Sequence, residues 1–217
     1  MHRKKILFGA LCGALAVAAT GAQAAPGDNQ GWYGGLDLSR AHLGLNGSNI
    51  DQAFAQQGIA GNTSIDRSHT AWGLDLGYRF NGNFALEGGY ASFGKFNYST
   101  PTTAPGADNI QGAFKAHAWS LAPVGILPLN DKWNLFGKAG LTRTTATLDA
   151  SSTTGATAPA GGEHSNTGFL LGAGATYDIT KNVYGKLEVD RYTRVGDAST
   201  TGRCDLDLFT LGVGVRF

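Results

Sequence analysis

Apolar residues fall on every second position along most of this chain, the period of a β-strand and not of a helix. Trp32, Gly34, Leu36 and Leu38 alternate with Tyr33, Gly35, Asp37 and Ser39. Trp72, Leu74, Leu76, Tyr78 and Phe80 alternate with Gly73, Asp75, Gly77 and Arg79. A third run sets Phe84, Leu86, Gly88 and Tyr90 against Ala85, Glu87, Gly89 and Ala91. The fourth, over about 114–127, carries Pro123, which cannot donate to a ladder, and its register stays open. Four clearer runs follow, centred on Leu135, Leu171, Leu187 and Leu211, the last ending at Phe217. Each is long enough to cross a bilayer as a tilted strand.

The connections alternate in length. Short turns fall at 81–83, 129–132 and 179–182, and long polar loops at about 44–69, 97–112, 147–166 and 194–205. Short periplasmic turns and long outer loops predict an all-β fold, an eight-stranded antiparallel up-and-down transmembrane β-barrel. The Ser/Thr/Gly/Ala run over 150–162 predicts a mobile third loop. Aromatics gather beside the short turns (Trp32, Tyr78, Phe80, Phe84, Trp133, Tyr177, Phe217), as an interfacial girdle requires.

A soluble barrel would alternate equally well, with its apolar side inside. The polar parity decides the matter. It is crowded with Gly and Ala and sparsely charged, which suits a narrow lumen and not a watery surface. Composition agrees: charged residues are 15% of the chain, below the roughly 25% of soluble domains. The apolar parity is therefore expected to face lipid.

At the N-terminus Arg3, Lys4 and Lys5 precede an apolar stretch and the A-x-A site Ala22-Gln23-Ala24, which predicts a signal peptide over 1–24 and a barrel domain over 25–217. Cys12 lies inside the apolar stretch and does not form a lipobox. Removing 1–24 leaves 14 Lys+Arg against 16 Asp+Glu, so bulk charge gives no case for nucleic acid. Cys204 is then a single thiol with no disulfide framework.

The inward parity carries Asp37, Asp75, Glu87, Glu188 and Asp190 against Arg79, Lys138, Lys186 and Arg216. Confined charges must pair, because an unpaired one costs several kcal/mol by order of magnitude. A lumen ion-pair network that plugs the barrel is the expectation. The alternative is a narrow pore for ions or small solutes.

Several stretches carry a family resemblance: Trp32-Tyr33-x-Gly35, Gly77-Tyr78 through Leu86-Glu87-x-Gly89-Tyr90, and Tyr177-x-Ile179-Thr180. Lys186-Leu187-Glu188, Val195-Gly196-Asp197-Ala198 and the final Leu211-Gly212-Val213-x-Val215-Arg216-Phe217 complete them. The chain resembles the outer membrane protein A-like transmembrane barrels, small eight-stranded proteins of the Gram-negative outer membrane. The resemblance implies a structural role in the envelope, with outer loops available for adhesion or a host ligand. It implies lipid and lipopolysaccharide as surroundings, and Phe217 as a C-terminal signal to the outer-membrane assembly machinery. It also implies that Glu87 on the third strand pairs with Lys186 on the seventh. The alternative partners of that pair do not carry over: Thr176 stands where an acid would, and the fourth strand offers no clear lysine. Members that continue into a cell-wall-binding domain depart from this sequence, which stops at Phe217.

Other chemistry is thin. His164-Ser165-Asn166 resembles the His and Ser of outer-membrane lipid A deacylases, but here the two are adjacent, and adjacent strand residues point to opposite faces. No enzyme activity is expected. His42, His69 and His117 are scattered near predicted strand ends without ligand spacing and read as interfacial polar residues. No phosphate-cradling glycine loop occurs, so neither cofactor nor metal is expected.

Overall fold

The computed structural model describes residues 30–44, 51–52, 55, 58, 60–65, 68–104, 108–152, 162–195 and 204–217. The predicted signal peptide and most of the predicted fourth loop lie outside them. Among the described residues eight long strands form: β1 (Gly31–Leu43), β2 (Ser68–Arg79), β3 (Phe84–Ala104), β4 (Asp108–Pro128), β5 (Trp133–Ser152), β6 (Gly162–Asp178), β7 (Val183–Val195) and β8 (Cys204–Arg216). Each pairs antiparallel with its neighbours in sequence, and β1 pairs with β8 from Tyr33↔Arg216 to Leu43↔Leu206. The sheet is closed, so the backbone of the spanning region is satisfied within it.

The three short turns share one chemistry. Asn81 Oδ1 accepts from the Asn83 amide, Asn130 Oδ1 from the Lys132 and Trp133 amides, and Thr180 Oγ1 from the Asn182 and Val183 amides. A short polar side chain closing its own turn is why these residue types end the strands there.

Side chains obey the alternation read from the sequence. Leu38, Leu74, Leu121, Leu141, Leu171, Leu187 and Leu211 all point outward and are exposed, forming a lipid-facing belt. An aromatic girdle edges it on the short-turn side: Trp32 on Tyr78, Tyr78 on Phe80, Phe80 on Phe84 and Trp133 on Tyr177, with centroids 5.0–5.7 Å apart. A second, on the outer side, stacks Trp72 on Tyr90 and Tyr90 on Trp119. The open register of the fourth strand is fixed: Leu86 lies opposite Pro123, which faces outward, and Val124 lies opposite Lys138.

Two expectations are corrected. Much of the expected loops at 97–112 and 147–166 is strand: β3 and β4 each run 21 residues and β5 runs 20, about twice the span a bilayer needs. The small and polar residues Ser, Thr, Ala, Gly and Asn predominate here, so hydrophobicity alone does not mark the strands, although Thr100 and Ala113 are buried and Thr63 bonds Thr100 at 2.8 Å. Two first-loop segments, Ala60–Gly61 and Ser64–Ile65, pair along the outer end of β3. The other correction concerns β3. The register shifts between Ser92 and Lys95, where Gly94 takes φ +82°, a left-handed value that favours glycine. This bulge swaps the parity, so both Phe93 and Phe96 point into the lumen.

Candidate functional site

The lumen is filled in two tiers. The tier nearer the short turns is polar. On β7 the inward residues Lys186, Glu188 and Asp190 form a charged spine, one ammonium followed by two carboxylates, all three buried. Lys186 Nζ lies 2.6 Å from Asp75 Oδ1, 3.0 Å from Asp37 Oδ2 and 3.3 Å from Glu188 Oε2. Lys138 Nζ lies 2.7 Å from Glu188 Oε1, 3.1 Å from Glu87 Oε1 and 3.6 Å from Asp190 Oδ1. Glu188 therefore joins the two lysines, one through each oxygen. The Tyr33 hydroxyl donates to the other Glu87 oxygen at 2.9 Å.

Seven of the nine expected lumen charges meet in this cluster; Arg79 and Arg216 do not. Arg216 pairs with Asp178 at 2.8 Å near the short-turn mouth and lies 4.7 Å over the Tyr184 ring. Arg79 donates to the turn carbonyls of Asn81 and Gly82. The near balance of five acids and four bases is thus not local. The cluster itself holds five carboxylates around two ammonium groups, and Asp37 Oδ1, Asp75 Oδ2 and Asp190 Oδ1 are buried without a hydrogen-bond partner. The pair implied by the resemblance also differs: Glu87 is bound by Lys138, while Lys186 takes Asp75 and Asp37.

Glycine makes room for these groups. A Cβ on Gly35 would stand 2.8 Å from the Asp75 carboxylate, and one on Gly77 or Gly214 would enter the ring of Tyr33 or Tyr184. At Gly212 an added Cβ would collide with Asp37 and lie 3.1 Å from Lys186 Cε. Gly212→Val is therefore expected to destabilise the folded barrel by about 1–3 kcal/mol through overpacking. Urea unfolding in phospholipid vesicles measures it; an unchanged midpoint would show that the lumen has slack there.

The outer tier is apolar. Phe93, Phe96, Leu170, Tyr192, Val195, Leu206 and Leu208 are buried and form one cluster with inward alanines of β1, β2, β4 and β5. Phe93 meets Tyr192 edge-on at 5.1 Å, and Phe96 meets His69 at 5.2 Å. His69 thus packs against the cap and is not interfacial, and His117 stands well inside β4 against Tyr90. His42 is exposed and bonds Ser68. Between the tiers Ser39 and Thr210 share a hydrogen bond of 2.7 Å. Two lumen cavities measure about 50 and 30 Å³, room for a few waters each.

Sequence reasoning missed Tyr33, Asp178, Tyr184 and the whole apolar cap. The signal was present: Leu206 and Leu208 continue the inward parity of Thr210 and Gly212, and Tyr192 continues that of Glu188 and Asp190. Ser165, of the His-Ser pair, shares a 2.9 Å hydrogen bond with Thr145, and both His164 and Ser165 are exposed. Cys204 opens β8, opposite Val195. The Phe217 amide donates to the Trp32 carbonyl at the β1–β8 seam.

Comparison with known proteins accords with this architecture. Residues 27–217 match the family described as the OmpA-like transmembrane domain. Outer membrane protein A of Serratia marcescens is 35% identical over 96% of this chain and 55% of its own length. Its Shigella flexneri counterpart is 32% identical over 96% and 54%. The chain thus spans about half the length of these relatives. Neisserial surface protein A shares the fold, with a TM-score of 0.55 at 15% identity, covering 86% of this chain and 97% of its own. The chain belongs to the OmpA-like transmembrane domain family, and its place is the cell outer membrane.

Proposed function

We propose that this chain is a structural protein of the outer membrane, a barrel with a closed lumen that holds tall outer hairpins above the surface as a platform for adhesion or a host ligand. One observation carries the reading: the lumen is packed twice, by an ion-pair cluster and by an apolar cap above it. A solute path would need a wet, continuous lining, and Phe93, Phe96 and Leu206 are instead fully buried side by side. The outer parts of β3–β5 rest on this rigid frame, which is where binding surfaces are placed in loop-bearing scaffolds. The exposed His164 and Ser165, with Ser165 turned to Thr145, support a non-enzymatic role. Phe217, at the seam, is the residue offered to the assembly machinery.

Liposomes carrying the protein are expected to swell no faster in a monosaccharide gradient than protein-free liposomes. Swelling at rates typical of an open porin would replace this reading with transport.

A second reading, a small gated ion conductance, is favoured by Glu188. It touches both lysines, so either lysine could exchange partners within the cluster without leaving it.

A further inference from the structure

The first short turn differs from the other two in what surrounds one peptide bond. Asn81 is followed by Gly82, and the Arg79 guanidinium donates to the carbonyls of both, Nε to Asn81 at 3.1 Å and Nη2 to Gly82 at 2.6 Å. The Asn81 carbonyl and the Gly82 nitrogen belong to the same peptide unit. A cation bonded to that oxygen favours the form in which the nitrogen has lost its proton, because the anion's charge rests largely on the oxygen. On the other side of the turn Asn81 Oδ1 accepts from the Asn83 amide at 2.9 Å. That N–H is aimed at the oxygen that turns negative when a nucleophile adds to Asn81 Cγ, so it stabilises the addition. The donor is held in place by β4: the Asn83 carbonyl accepts from the Ile126 amide at 2.8 Å, and Asn83 Nδ2 donates to the Ile126 carbonyl at 3.1 Å. Gly82 brings no Cβ to obstruct ring closure, and Asn81 is exposed, so water reaches it.

The second short turn supplies the contrast. Asn130 Oδ1 accepts from the Lys132 and Trp133 amides, so its carboxamide is polarised in the same way. Asp131 follows it in place of glycine, and among the described residues no guanidinium bonds the Asn130 carbonyl.

We propose that Asn81 is a site of spontaneous covalent modification, where the folded turn drives deamidation through a cyclic imide formed with Gly82. The Gly82 nitrogen gives its proton to water and bonds to Asn81 Cγ, and the Cγ–Nδ2 bond breaks. Nδ2 takes up a proton from water and leaves as ammonia. Water then opens the imide at either carbonyl, leaving an aspartyl or an isoaspartyl residue at position 81. The sum is one water consumed and one ammonia released, with no oxidation or reduction. The new carboxylate stands beside Arg79, whose side chain bonds carbonyls and, among the described residues, no carboxylate.

The test is the rate of conversion at position 81, read by mass spectrometry of the proteolytic fragment that contains it. The native protein and Arg79→Gln are incubated at neutral pH, each folded in phosphatidylcholine vesicles and each unfolded in urea. The folded native protein is expected to convert Asn81 faster than the unfolded chain does, while its Asn130 keeps the amide. Arg79→Gln is expected to slow conversion about tenfold in the folded protein, the scale of one hydrogen bond to a charged group, and to leave the unfolded rate unchanged. A folded native protein that keeps the Asn81 amide longer than the unfolded chain overturns the proposal, whether or not the variant folds. An Arg79→Gln rate unchanged in the folded state overturns it as well, and so does one that falls equally in both states. Conversion of Asn130 as fast as Asn81 in the folded protein would show that neither Arg79 nor Gly82 directs the reaction.

Discussion

Lys186→Met is expected to destabilise the folded barrel by about 3–5 kcal/mol, the cost of leaving buried charges without their partner. The substitution removes the one ammonium that holds Asp75 and Asp37 and one of the two that hold Glu188, all three lying within 3.3 Å of it. Lys186 is only 6% exposed, so bulk solvent screens the remaining carboxylates poorly. Lys138 adds no charge to replace the one removed, since its single ammonium already serves Glu87, Glu188 and Asp190. The effect should be read from urea unfolding in phospholipid vesicles. The double variant Lys186→Met/Asp75→Asn separates the causes. If the loss comes from stranded charge, neutralising the nearest carboxylate recovers part of it. A loss below about 1 kcal/mol for the single variant, the level of an exposed pair, would show that water reaches the cluster freely.

Leu211→Arg tests the other side of the wall. Leu211 lies midway along β8, between Leu38 on β1 and Leu187 on β7, and all three are exposed to what surrounds the barrel. In a bilayer that position lies in hydrocarbon, so an arginine there is expected to cost about 2–4 kcal/mol. Thr210→Arg, one residue away, would instead enter the lumen beside Ser39. A neutral Leu211→Arg in vesicles would mean that the belt does not face lipid and that inside and outside are reversed.

The wall of the barrel was legible because one physical rule governs it: lipid outside and a narrow lumen inside impose a period of two. Trp72 to Phe80 and Val183 to Val189 show that rule with hardly an interruption, and the structure follows it. Legibility failed where the rule lapses. In the outer parts of β3–β5 the buried positions are filled by small or polar residues such as Thr100, Ala113 and Ala146, so no apolar alternation marks them and strand reads as loop. At Gly94 one extra residue reverses the parity, and Phe96 changes sides without any change in composition. In the outer half of the lumen Leu170, Leu206 and Leu208 are apolar but inward, because a side chain there meets other side chains and not water.

The candidate site was legible as a set and not as pairs. Inward parity singles out Asp37, Asp75, Glu87, Lys138, Lys186, Glu188 and Asp190, whose side chains lie together in one cluster. Which acid meets which base depends on height along tilted strands, and alternation carries no information about height. Arg79 and Arg216 share the parity but sit at the mouth, where a turn and Asp178 take them up. Glu87 accordingly meets Lys138 on β5 and not Lys186 on β7.

The closed lumen is tested most directly by single-channel recording in planar bilayers, comparing the native protein with Phe93→Ala/Leu206→Ala. These substitutions empty the middle of the apolar cap and leave every charge in place. The native protein is expected to show no steady open level, and the double variant a persistent small conductance as water enters from the outer side. A stable open level in the native protein, unchanged in the variant, would contradict the account by showing that ions already pass the cap.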